Sequence, residues 1–210
     1  MTLARATVLL CLAFAASALP GHAAGVLQRW GMDLVLEGRP FRAVGVNKFD
    51  LALQFIRGGE EREQARRALA DIAGAGFTVV RFGAVGFYPR DLELWPSPEY
   101  WRRWDDLVAT ARGHGLRLVP VLVWNTYLFP DLAGESVQDM MTNRDSRSRQ
   151  YLELYVHQVV SRYRDEPTIL FWELWSELNL GADLAFMRPY GFSDLNAVSL
   201  GAAPMRLAAG

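Results

Sequence analysis

Cysteine is nearly absent from this 210-residue sequence: there is one, Cys11. It lies in an apolar run, residues 8–19, too short to cross a bilayer and flanked by Arg5 on one side and Pro20-Gly21 on the other. That is the layout of a secretory signal, and Gly21-His22-Ala23 offers small residues for cleavage after Ala23. An uncleaved anchor is the alternative reading. Leu10 is not the small residue a lipoprotein signal carries before its cysteine, so no lipid anchor is expected. With residues 1–23 removed, no cysteine remains. Disulfides, thiolate zinc sites, cysteine nucleophiles and dithiol redox chemistry are then excluded, and stability must come from a core. The expected location is the periplasm or the medium, with no stable membrane association after cleavage.

An excess of charge of either sign is also lacking. Lys and Arg number 22 against 23 Asp and Glu, for a net charge of −1, and no long basic run interrupts the balance. Nucleic acid is therefore not an expected partner. Of three histidines, His22 leaves with the signal, while His114 and His157 stand isolated. No metal site and no cofactor is expected. No strand-like segment is followed by G-x-G-x-x-G or a phosphate loop, which argues against a nucleotide-binding α/β protein. Repeats of solenoid period and low-complexity linkers are missing up to about residue 185.

What is present is regular alternation. Residues 41–49 (FRAVGVNKF), 77–82 (FTVVRF), 116–124 (LRLVPVLVW) and 168–175 (TILFWELW) are strand-like. Between them, residues 60–73 carry Ala65, Ala68, Leu69, Ile72 and Ala73 at helical spacing, ended by Gly74 and Gly76. Ser97-Pro98 opens a second helix striped by Trp101, Trp104, Leu107, Val108 and Ala111. Asp145 or Ser146 caps a third, with Leu152, Tyr155, Val156, Val159 and Tyr163 on one side. Pro120 is discordant in the third strand and predicts a bulge there.

The order β-α-β-α-β-α-β with near-continuous apolar strands predicts a parallel sheet covered by helices. Long loops, residues 83–96 and 125–144, follow the second and third strands and carry Phe87, Tyr88, Trp95, Tyr127 and Phe129. Long loops at the C-terminal ends of strands favour a (β/α) barrel over an open doubly-wound sheet.

Two glutamates sit in the apolar fourth strand, and each needs a partner or a task. Glu177 falls at its C-terminal end, on the rim where barrel enzymes do chemistry. Glu173 falls four residues deeper, where the expectation is a buried acid paired with an arginine, Arg81 being the candidate.

The run Asp165-Glu166-Pro167-Thr168-Ile169-Leu170-Phe171-Trp172-Glu173-Leu174-Trp175-Ser176-Glu177 resembles the strand-four signature of glycoside hydrolase family 5. Mannanase-like and cellulase-like members of that family read approximately D-x-P-T-I-x-x-W-E-L-x-N-E. Val44-Gly45-Val46-Asn47, Val79-Val80-Arg81-Phe82 and Gly113-His114-Gly115-Leu116-Arg117-Leu118-Val119-Pro120 agree in order, so the resemblance covers about residues 30–180. It implies the N-terminal half of a (β/α)8 TIM barrel, with about four strands and three helices over residues 24–180. The implied activity is hydrolysis of β-glycosidic bonds in a mannan or glucan by a retaining, two-carboxylate mechanism.

Carried over by the resemblance, Glu177 is the general acid/base and Arg81 the strand-two arginine that supports the nucleophilic carboxylate. Asn47, Trp124 and Asn125, with Tyr127 and Phe129, fall where the family lines its sugar subsites. Ser176 stands where the family has the asparagine that holds the sugar 2-hydroxyl, a departure that predicts weakened catalysis. The family's nucleophile is a glutamate near the end of strand seven. Beyond Glu177 the only carboxylates are Asp183 and Asp194.

Residues 181–210, rich in Ala and Gly and free of Lys and Glu, offer one short strand at 195–200 and no fifth βα unit. They read as an atypical tail, truncated or frame-shifted. The expected partners are a β-linked polysaccharide or oligosaccharide, and a second copy through exposed half-barrel edges. A non-catalytic carbohydrate-binding remnant, or an inactive fragment, is the alternative function.

Overall fold

Four parallel strands alternate with helices in the order the sequence predicts. The computed structural model describes residues 27–176. The expected signal segment, Glu177 and the expected atypical tail therefore lie outside the described residues.

The described residues begin with a small antiparallel sheet absent from the sequence reading, made of β1 (Leu27–Trp30), β2 (Asp33–Leu36) and β3 (Arg39–Pro40). There follow β4 (Gly45–Asn47), α1 (Leu51–Arg57), α2 (Gly59–Gly74), β5 (Val79–Gly83), a 3-10 turn (Pro89–Leu92) and α3 (Pro98–Gly113). Next come β6 (Arg117–Val123), α4 (Leu128–Ala133), α5 (Val137–Thr142), α6 (Arg147–Tyr163) and β7 (Glu173–Trp175). The order in the second sheet is β4-β5-β6-β7, parallel throughout. This is the strand order of part of a (β/α) barrel.

The alternation along each strand decides which face is covered. Val80, Phe82, Leu118 and Leu122 point into a core shared with Leu69 of α2, Trp104 and Leu107 of α3, and Tyr155 and Val159 of α6. Phe82 meets Trp104 with ring centroids 5.9 Å apart. On the other face, Asn47 and Arg81 pair in register, and Val121 pairs with Glu173.

Helix ends follow their capping residues. Ser97 accepts from the Tyr100 amide, with Pro98 opening α3. At α6 the Ser146 hydroxyl accepts from the Arg149 amide, and Glu135 takes the Arg147 and Ser148 amides. Three of the four amides a helix start leaves unpaired are thus satisfied, and α6 is tied to the chain just after α4.

Three sequence expectations need correction. The bulge belongs to the neighbour of β6 and not to β6 itself. Arg117–Val121 pair one-for-one with Val79–Gly83 across Pro120, so β6 is regular on that side. On the β7 side, Leu118 bridges Ile169 but Val121 pairs with Glu173, which puts one extra residue in the segment before β7. The Leu118 amide donates towards that side, to Thr168. Pro120, two residues on, is where the next donor would be, so the facing segment absorbs the missing hydrogen bond.

The first strand is shorter than residues 41–49, since only Gly45–Asn47 pair with β5. Glu173 is not buried in a layered core: its side chain keeps 32% of its exposure. Among the described residues no helix is long and apolar enough to cross a membrane.

Candidate functional site

Arg81 is the centre of the site. It projects from β5, beside Asn47 of β4 in register, and reaches across β6 to β7. Its Nε donates to Glu173 Oε2 at 2.7 Å and its Nη2 to Glu173 Oε1 at 2.5 Å, a two-pronged fork. Nη1 donates to Asn47 Oδ1 at 3.2 Å, and Nη2 lies 3.4 Å from the Ser176 hydroxyl oxygen. The guanidinium also rests over the Trp124 ring, 5.1 Å from its centroid. Side chains from strands far apart in sequence thus converge on one cation.

With about 30% exposure on each partner, the Arg81–Glu173 pair adds only about 0–1 kcal/mol to stability. Its geometry matters more than its energy. Both Glu173 oxygens face the guanidinium, which suits the acid to orienting Arg81 and not to passing a proton. Ser176 is buried, and its amide donates to the Val123 carbonyl at 3.0 Å, fixing the chain one residue before Glu177.

The remaining residues named from the sequence separate. Trp124 is half-buried and belongs to the site. Asn125 has both ends of its amide engaged, donating to the Phe87 carbonyl at 2.5 Å and accepting from the Tyr127 amide at 3.1 Å. Its side chain ties two loops together. Phe129 is fully buried, 5.8 Å from the Tyr155 ring, and belongs to the helix core. Trp95 likewise turns inward and donates to Gln158 of α6.

Sequence reading missed Phe49, whose ring is 53% exposed and lies 6.2 Å from Trp124 and 5.9 Å from Phe87. It also missed Lys48, which contacts both Asp50 and Gln54 beside the site. Asp91, a buried acid that accepts from the Phe87 and Tyr88 amides, went unnoticed too. Of these only Phe49, next to the Asn47 motif, left a local signal. Among the described residues no group of three or more His, Cys, Asp or Glu is placed to hold a metal.

A guanidinium fork, an asparagine, a hydroxyl and aromatic faces suit a ligand with hydroxyls along its edge and apolar faces, as a pyranose has. No protein-family model matches the chain. A solved glycoside hydrolase family 5 mannosidase from Rhizomucor miehei superposes with a TM-score of 0.61 at 12% identity, over 82% of this chain and 55% of that one. The described fold is accordingly part of a (β/α)8 barrel of the kind that family builds.

Sequence similarity narrows the class. Mannan endo-1,4-beta-mannosidase 1 of Oryza sativa subsp. japonica is 28% identical over 190 residues, 79% of this chain and 43% of that protein. Mannan endo-1,4-beta-mannosidase 8 of the same organism is 30% identical over 176 residues, 73% of this chain and 47% of that protein. The chain is glycoside hydrolase family 5-like, of the mannanase type, and spans less than half the length of these curated relatives.

Proposed function

We propose that the chain is the acid/base-bearing part of an exported hydrolase acting on β-linked mannan. The observation that carries this reading is the Arg81–Glu173 fork with Asn47, Trp124 and Ser176 around it, a polar and aromatic cluster held one residue before Glu177. Similarity to mannanases favours mannan over β-glucans such as cellulose.

In this reading Glu177 protonates the departing glycosidic oxygen and later activates water. Arg81 holds its charge next to the reacting ring, and its fork with Glu173 keeps it from collapsing onto another acid. Asn47 and Ser176 offer hydrogen bonds to sugar hydroxyls. A retaining mechanism also needs a second carboxylate about 5 Å from the first. Asp183 and Asp194 are the only acids after Glu177 in this sequence. Under this proposal Glu177 supplies one of the two carboxylates.

The aromatic faces of Trp124 and Phe49 beside Arg81 also suit a second reading, in which this chain binds mannan without cleaving it. One experiment separates the two. The full chain is incubated with insoluble β-mannan, and with cellulose as the control, while retention and reducing-sugar release are followed for wild type and Glu177→Gln. Release abolished by the substitution supports hydrolysis. Retention on mannan without release supports binding alone. Neither retention nor release refutes both.

A further inference from the structure

In the loop between β5 and α3, one residue has both of its backbone polar groups held by side chains. Phe87 has its amide taken by Asp91 Oδ2 at 2.9 Å and its carbonyl taken by Asn125 Nδ2 at 2.5 Å. Asp91 also accepts from the Tyr88 amide at 3.1 Å and, through Oδ1, from Arg57 of α1 at 3.1 Å. Its side chain is only 4% exposed, so this acid is held inside the loop with every observed partner a donor. Gly86 lies against it: a Cβ there would stand 2.1 Å from Asp91 Cβ. Burying an acid is costly unless donors meet its oxygens, and here two amides and a guanidinium do, which holds the Phe87 backbone against it.

What stays in place is a ring. Phe87 meets Phe49 edge-on, with centroids 5.9 Å apart and planes at 64°. Phe49 is fixed from the other side, because its carbonyl accepts from the Gly83 amide at 3.0 Å. A Cβ at Gly83 would sit 3.1 Å from that same oxygen, so the approach depends on glycine. Phe49 in turn lies 6.2 Å from Trp124, which underlies Arg81. A continuous line runs from the charged fork through Trp124 to the exposed Phe49 ring, with Phe87 as its backstop.

We propose that Phe49 is a stacking platform for a sugar ring adjoining the Arg81 cluster, and that Asp91 and Asn125 are positioning residues that clamp the Phe87 backbone to hold it there. The proposal rests on the saccharide reading above and adds the place of a second ring. A neutral pyranose fits because the platform is apolar while its neighbours Asn47 and Arg81 carry hydrogen-bonding groups. Contacts with Phe87 and Trp124 hold the exposed Phe49 ring at a set place beside the cluster, where its face is open to a ligand ring.

The test uses the full chain, with mannohexaose as probe and binding followed by tryptophan fluorescence, alongside thermal unfolding of each variant. Phe49→Ala is expected to weaken binding about five- to tenfold with little change in Tm, and Phe49→Trp to restore it. Asp91→Ala is expected to weaken binding by a similar factor. The double variant should then bind no more weakly than Phe49→Ala alone, since the clamp acts through that ring.

Asp91→Asn keeps an oxygen for the Phe87 and Tyr88 amides and should bind as wild type, which guards against simple misfolding of the alanine variant. Unchanged binding in Phe49→Ala overturns the platform while leaving the saccharide reading intact. Additive losses in the double variant overturn the clamp. Absence of mannohexaose binding by wild type overturns the saccharide reading, and this proposal with it.

Discussion

The two faces of the parallel sheet are built from alternate residues of the same strands, yet they are stabilised differently. Val80 and Phe82 on β5 are fully buried against α3 and α6, while Arg81 between them faces a carboxylate and keeps 29% of its side-chain exposure. One face is a close-packed core whose energy scales with buried apolar area. The other is a set of directed polar contacts whose net energy is small and whose value lies in direction. Substitutions should therefore separate stability from function according to the face they touch.

Trp104 gives the largest expected effect. It is fully buried and contacts both the Phe82 and Tyr163 rings. Truncation in Trp104→Ala should cost about 3–5 kcal/mol, read as a lower midpoint in urea unfolding. A loss below about 1 kcal/mol would mean that the helix layer is not the stabilising face.

Gly86→Ala comes next. The new methyl meets Asp91, which cannot retreat because its oxygens hold two amides and Arg57. Overpacking of this kind costs about 1–3 kcal/mol. It should also lower affinity for mannohexaose, because the clamp joins the two faces. A variant as stable and as tight-binding as wild type would show that the loop shifts freely.

Arg81→Met inverts the pattern. The pair it breaks is partly exposed, so stability should change by at most about 1 kcal/mol. Binding of mannohexaose should nonetheless be lost, because the cation organising Asn47, Glu173 and Ser176 is gone. Retained binding in isothermal titration would remove Arg81 from the site.

These expectations also show which parts were legible in the sequence. The Arg81–Glu173 pair could be anticipated because an acid in an apolar strand demands a base, and Arg81 was the strand-borne candidate. Ser97 and Ser146 announced their helices through capping chemistry. By contrast α1 was missed because it is only seven residues long: Leu51, Ala52, Leu53, Phe55 and Ile56 are all buried, and Gln54 and Arg57 alone make its polar side, too short a stripe to reveal a period. The short helices α4 and α5 are one to two turns each, too short for a stripe.

Pro120 correctly signalled a broken ladder, but sequence does not say which strand takes up the slack. Asp91 was invisible for another reason. Its contacts to the Phe87 and Tyr88 amides are local, but its partner Arg57 on α1 meets it only after the chain has folded back.

A second fork sharpens the comparison at its smallest effect. On the helix layer, Arg162 of α6 grips Asp105 of α3 with contacts of 3.2 and 2.6 Å, and the Tyr163 hydroxyl donates to the same carboxylate at 2.8 Å. Burial pushes the Asp105 carboxyl up, but the Arg162 guanidinium and the Tyr163 hydroxyl outweigh it and hold it below the ordinary carboxylate range. A carboxyl whose affinity for protons is weaker folded than unfolded favours folding when ionised. That contribution is full above the unfolded value of about 3.9 and is lost as pH falls through the lower folded value.

The difference in unfolding midpoint between wild type and Asp105→Asn should therefore hold down to about pH 4 and shrink as pH is lowered further. Mannohexaose affinity at neutral pH should be the same in both. The same guanidinium–carboxylate chemistry then serves packing on one face and recognition on the other. A gap in midpoint that stays constant with pH, or a change in affinity, would show that the two faces are not separable in this way.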